Sequence, residues 1–256
     1  MTALLMLMML ATMAQARPRQ FAISQTEQVT RGLVAYWAMR NSGTTVYDET
    51  GAHNGTANGG VTFDYSYGYV GSGALFTSPR YIAVANHAAL NFGTGPFALA
   101  VWVYPTNITI HDDGILSKDS YPGSGNSYTG YLLNAQGTPS IKWAFSTRNV
   151  ISGSGPNTTL LSTTTVTNNR WYHIVALRDG ETLRIYVDGV LENSGAQASA
   201  TSVSSTVNMT IGSLNAISPG QYFDGRIDEV RIYNRALTTD EVKQLYRMGK
   251  TVYQNR

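Results

Sequence analysis

The side chains able to do chemistry in this chain are carboxylates, tyrosines and a few histidines, since there is no cysteine. That absence excludes disulfides, thiolate zinc sites and a thiol nucleophile. Asp228 lies in the run Arg226-Ile227-Asp228-Glu229-Val230-Arg231-Ile232-Tyr233. Strand alternation groups it with Val230 and Ile232 on the apolar, core-facing side. A carboxylate turned inward must be paired or hold a cation. Asp48, in a glycine-containing loop, is a second such candidate. The alternative for Asp228 is satisfaction by backbone N–H groups, and for Asp48 an Asx turn. A third acidic group, Asp112, Asp113 and Asp119 with His111, borders a long loop, and Asp112 and Asp113 converge only if that segment is not a strand. Glycoside hydrolysis needs two acids about 5–9.5 Å apart. Asp228 and Glu229 are adjacent, so strand geometry sends them to opposite faces. His53, His87, His111 and His173 sit in unrelated blocks, and no G-x-S-x-G element is present. No catalytic residues are expected, and the chain is not read as an enzyme.

Binding chemistry is better represented. Tyr65, Tyr67 and Tyr69 alternate, so an extended backbone would present three rings on one side. Tyr121, Asn126 and Tyr128 occupy a Gly/Ser-rich stretch that reads as a rim loop. Aromatic rings with wet edges beside amides and carboxylates suit sugars, whose apolar C–H faces are fringed by hydroxyls. The ordinary alternative is that these tyrosines cover a sheet. Sequons begin at Asn54, Asn107, Asn157 and Asn208, which matter only in a host that glycosylates secreted proteins.

These residues need a scaffold, and the sequence outlines it. The chain has 256 residues, 18 basic against 16 acidic side chains, only 13% charged residues, 25 Gly and 16 Tyr. A near-neutral balance with scattered Arg excludes a nucleic-acid footprint. Short apolar or alternating runs recur between turn signals, which predicts an all-β body. Residues 97–104 are almost continuously apolar, as in a central strand covered on both faces. Asp179-Gly180 and Asp188-Gly189 predict type I′ turns joining a hairpin or a three-stranded meander. One short C-terminal helix is predicted by the capping box Thr238-Thr239-Asp240-Glu241, with Gly249 as its stop. Trp37, Trp102, Trp143 and Trp171 fall in strands and are expected in the core. Residues 1–16, apolar from 3 to 11 and closed by Ala14-Gln15-Ala16, read either as a signal peptide or as a hydrophobic segment that docks on a partner or lipid. The run is too short to span a membrane. Residues 17–31 read as a linker, 32–249 as one domain and 250–256 as a tail.

Taken in order, the blocks resemble a known family. Gly32-Leu33-Val34-Ala35-Tyr36-Trp37, the loop Asp48-Glu49-Thr50-Gly51-Ala52-His53-Asn54-Gly55, the strand from Phe97 to Pro105, Trp171-Tyr172-His173, Tyr186-Val187-Asp188-Gly189 and the closing Gly225-Arg226-Ile227-Asp228-Glu229-Val230-Arg231-Ile232-Tyr233 are similar to the laminin-G-like, concanavalin A-like jelly rolls. The resemblance implies a two-sheet antiparallel jelly-roll sandwich with one concave sheet and variable rim loops. It also implies a structural Ca²⁺, for which Asp228 and then Asp48 are the expected ligands, backbone carbonyls supplying the remaining oxygens. Some relatives are glycosidases with alternating carboxylates on one strand, a pattern missing here. The expected function is that of a secreted, extracellular, non-catalytic module binding a glycan or glycosylated surface. The alternative is a structural or adhesive component of a surface, filament or virion, acting through self-assembly or a protein partner.

Overall fold

The computed structural model describes residues 29–41, 43–108, 113–120, 127–197, 201–214 and 221–254. Asp112, Tyr121, Asn126 and residues 1–28 therefore lie outside the described residues. Sixteen strands follow in chain order among the described residues: β1 (Leu33–Trp37), β2 (Thr45–Val46), β3 (Gly55–Asn58), β4 (Thr62–Asp64), β5 (Gly73–Phe76), β6 (Tyr81–Val84), β7 (Phe97–Pro105), β8 (Asp113–Asp119), β9 (Tyr128–Gln136), β10 (Lys142–Val150), β11 (Asn157–Thr165), β12 (Tyr172–Asp179), β13 (Thr182–Val187), β14 (Val190–Ala196), β15 (Met209–Ile211) and β16 (Gly225–Tyr233). They form two eight-stranded antiparallel sheets. Sheet I runs β14-β13-β12-β7-β16-β5-β4, with β1 also on β16, and sheet II runs β11-β10-β9-β8-β15-β6-β3-β2. This is the expected jelly-roll sandwich.

One core fills the space between the sheets, with Trp37, Phe97, Leu99, Val101 and Val103 of sheet I among the residues meeting Leu133, Trp143 and Phe145 of sheet II. β7 is central to sheet I, and its alternate residues serve two interiors. Ala98 and Ala100 face outward into a second apolar cluster with Val175, Leu177, Val242 and Leu245. That cluster is closed by the helix α1 (Thr239–Gln254). The capping box forms as expected: Thr238 N donates to Glu241 Oε2 at 2.8 Å and Glu241 N donates to Thr238 Oγ1 at 3.2 Å. Gly249 does not stop the helix, which continues to Gln254. It is needed for close approach, since a Cβ there would stand 2.7 Å from Trp102 Nε1. Val29, in the stretch expected to be linker, is buried in the same cluster, and its carbonyl accepts the Tyr233 hydroxyl at 3.0 Å.

The meander β12–β13–β14 forms, but its two turns differ. Asp188 and Gly189 both have positive φ (51° and 81°), the type I′ pattern. In the first turn Asp179 still pairs with Thr182, and Gly180 (φ 60°) is the first central residue. A single positive φ at that position is the type II′ pattern. Tyr65, Tyr67 and Tyr69 do not line one side of an extended strand. Tyr65–Tyr67 is a 3-10 turn capped by Asp64, and Tyr69 is buried with its ring stacked 3.6 Å from Trp102.

Candidate functional site

The expected inward turn of Asp228 is overturned by one inserted residue. Asp228 pairs with Trp102 and Arg231 with Ala100, so β16 uses two intervening residues where β7 uses one. This β-bulge is carried by Glu229, whose φ of 55° is a left-handed conformation that glutamate adopts at a cost of about 1–2 kcal/mol. The extra residue reverses the parity of alternation. Ile227, Val230 and Ile232 enter the inter-sheet core, whereas Asp228, opposite the outward Trp102, faces the helix side with Arg231. Glu229 follows them: its Oε1 accepts the Tyr36 hydroxyl at 2.6 Å and its Oε2 accepts Arg231 at 2.5 Å. Adjacency therefore fails to separate the two carboxylates. A cavity of about 180 Å³ lies beside them, lined in part by Tyr36, Arg40, Trp102, Glu229 and Met248.

Asp228 is fully buried, and both of its oxygens accept backbone N–H groups: Oδ2 from Tyr69 at 2.9 Å and Val70 at 2.8 Å, Oδ1 from Glu229 at 2.7 Å. Burial and then the Glu229 charge push its carboxyl well above the usual range, and the three N–H groups oppose them. Asp48 is treated alike. Its Oδ1 accepts the Tyr36 and Thr50 amides, and its Oδ2 accepts the Thr50 hydroxyl and the His53 amide. Burial would raise Asp48, but these bonds and the His53 ring outweigh it and hold the carboxyl below its ordinary value. Calcium requires carbonyl and carboxylate oxygens around it. Both acids are ringed by donors instead, so as arranged they do not fit a calcium ion. No group of three or more His, Asp or Glu positioned for a metal occurs among the described residues.

Sheet II offers a different arrangement. On its outer face Asp119, Gly130 and Arg148 stand in register, and Thr210, Ser117, Leu132, Ser146 and Thr159 form the next row. Arg148 Nη1 donates to Asp119 Oδ2 at 2.8 Å, and its guanidinium lies 5.5 Å from the Tyr128 ring. The Arg148 Nε atom is buried with no hydrogen-bond partner among the described residues. Asp119 is buried, while Tyr128 is half-buried and Asn157 and Thr159 are exposed. The structure thus joins Asp119 and Tyr128, two of the residues singled out in sequence. Asp113, buried at the start of β8, pairs with Ala135 rather than entering that row.

Sequence reasoning missed Arg148, although alternation with Trp143 and Phe145 would have placed it outward. It also missed two buried cations. Lys118 Nζ donates to Asn86 Oδ1, Ser205 O and Val207 O at 2.6–2.8 Å, and burial lowers it to about 8. Arg178 donates to the Gly93, Gly95 and Thr201 carbonyls, and burial lowers it to about 10.

Residues 76–243 match the family model described as the concanavalin A-like lectin/glucanases superfamily. No curated protein matches the chain. Among solved structures, the chain is similar to the binding domain of Paraclostridial Mosquitocidal Protein 1 (TM-score 0.69, 14% identity), covering 86% of this chain and 53% of that one. The chain therefore spans about half the length of that structure. It is similar to domain 4 of AbnA, a GH43 extracellular arabinanase from Geobacillus stearothermophilus, in complex with arabinotriose (TM-score 0.59, 22% identity), covering 84% of this chain and 98% of that one. It is also similar to Trypanosoma rangeli sialidase in complex with 2,3-difluorosialic acid (TM-score 0.61, 16% identity), covering 87% and 34%. At these identities the likeness is one of fold. With the family match covering well over half of the sequence, the chain belongs to the concanavalin A-like lectin/glucanases superfamily.

Proposed function

We propose that the chain is a non-catalytic recognition module whose ligand is a carbohydrate, free or on a glycosylated surface, held on the outer face of sheet II. The observation that carries this reading is the Asp119–Arg148 pair beside Tyr128. A sugar's adjacent hydroxyls each donate and accept, and a carboxylate next to a guanidinium offers the complementary acceptor and donors. The tyrosine ring supplies a surface for C–H faces. Support also comes from the AbnA domain, a similar fold of almost the same extent, whose structure contains arabinotriose. A hydrolytic role is not favoured, because Asp228 is enclosed by N–H donors and has no open side for a substrate.

Support for an extracellular setting is the apolar run 3–11 closed by Ala14-Gln15-Ala16. Titration calorimetry against neutral arabino-oligosaccharides and sialylated oligosaccharides tests the binding reading. Saturable heat with at least one class is expected, and silence toward both at high protein concentration would defeat it. A second reading, assembly through protein contacts, draws on exposed Val190 and Leu191 on edge strand β14 and Leu161 on edge strand β11. Concentration-dependent oligomers that bind no sugar would favour that reading.

A further inference from the structure

Asp48, His53 and His87 form a chain of contacts that the carbohydrate reading does not use. His53 Nδ1 lies 3.1 Å from Asp48 Oδ2, and His53 Nε2 lies 3.1 Å from His87 Nδ1. The rings meet edge to face, with centroids 4.7 Å apart. Proton placement follows from the neighbours. Asp48 Oδ2 already accepts the Thr50 hydroxyl and the His53 amide, so it stands toward the ring as an acceptor and His53 Nδ1 donates to it. His87 Nδ1 accepts the Ala89 amide at 3.2 Å as the cap of the 3-10 turn Ala88–Leu90, so it presents a lone pair. With Nδ1 turned to Asp48, the His53 ring brings Nε2 to that same His87 nitrogen, so two imidazole nitrogens converge at 3.1 Å, a separation that one shared cation bridges.

We infer that His53 Nε2 and His87 Nδ1 bind a divalent transition-metal ion of the zinc, nickel or copper class. Metal–imidazole bonds of about 2.0–2.1 Å, meeting at roughly 100°, reproduce the observed nitrogen separation. Asp48 supplies the supporting contact that metal-bound histidines require, fixing the tautomer and ring orientation from behind. Asp48 is itself locked by the Tyr36, Thr50 and His53 amides, so the buried ligand is preorganised. His87 is exposed and provides the entry side. Its Ala89 amide bond is given up on metal binding, and that exposed N–H returns to water. Since no third His, Asp or Glu converges among the described residues, the remaining positions fall to water. This is a different ion from calcium, using nitrogen rather than oxygen ligands, and it does not depend on sugar binding.

The test uses the full chain with ZnCl₂ or NiCl₂ alone as titrant. His87→Asn is the principal variant, because asparagine keeps the cap of the turn and removes the imidazole. Wild type is expected to bind one ion with a rise in melting temperature. Affinity should fall at least about ten-fold in His87→Asn and weaken as pH drops through the imidazole range. Cobalt substitution should give visible absorption bands in wild type that the variant lacks. Equal metal responses in the two proteins, or no response in wild type at millimolar metal, would overturn the inference. The latter result would leave a proton alone between the rings.

Discussion

The two sheets share one core, but their outer faces are built in opposite ways. On sheet I, Tyr69 and Trp102 stack in series with Tyr246 of α1, and the acids beside them have their acceptor capacity taken up by backbone N–H groups, Tyr36 and Arg231. On sheet II, hydroxyls, a guanidinium and a carboxylate occupy the outer face, with no helix over it among the described residues. The difference separates acids saturated by the fold's own donors from an ion pair, itself largely buried, that leaves one donor unmatched among the described residues. A carboxylate ringed by amides is already complexed by the protein itself. Arg148 Nε, buried beside Asp119, has no hydrogen-bond partner among the described residues, and under the proposed function it is the donor left for a ligand.

Breaking the sheet I arrangement should have the largest effect. Asp228→Ala strands three buried N–H groups and removes the anchor between β16 and residues 69–70. A loss of about 3–5 kcal/mol is expected by chemical denaturation, and a change under about 1 kcal/mol would refute Asp228 as the hub of these bonds. Acid probes the same face more gently. His173 is buried against Trp102, and burial, aided by Arg231, lowers it to about 3. Above its unfolded value near 6.5 it is neutral in both states. Below that, the unfolded chain takes a proton that the folded chain refuses. Stability should therefore fall from pH 6.5 toward pH 3, by about 2.5 kcal/mol at pH 4.5 relative to a His173→Phe control. Parallel pH profiles for the two proteins would contradict it. Gly249→Ala pushes a methyl into Trp102 and should cost about 1–3 kcal/mol, read as a lower melting temperature. Unchanged melting would mean that the helix does not sit close on the sheet.

The fold was legible because its signals are local: alternation, paired glycine turns and a capping box each act within a few residues. β7 and α1 follow from those signals, apart from the helix end, where Gly249 answers to a tryptophan 147 positions away in sequence. The site was less legible for the same reason. The bulge at Glu229 depends on register against β7 and leaves no local mark, yet it turns Asp228 away from the inter-sheet core. The Arg148–Asp119–Tyr128 grouping needs the pairing of β8, β9 and β10, and the His53–His87 contact joins loops 34 positions apart.

The central claim, that sheet II is the recognition face, is tested most directly by Arg148→Ala. Truncation takes the Arg148 ion pair from the buried Asp119, so stability should also fall, by up to about 3–5 kcal/mol, and affinity is read on the folded fraction. Calorimetric affinity for the best sugar of the panel should fall at least about ten-fold, equivalent to 1.4 kcal/mol, while the sheet I variant Gly249→Ala should retain wild-type affinity in its folded fraction. Undiminished binding by Arg148→Ala would contradict the account.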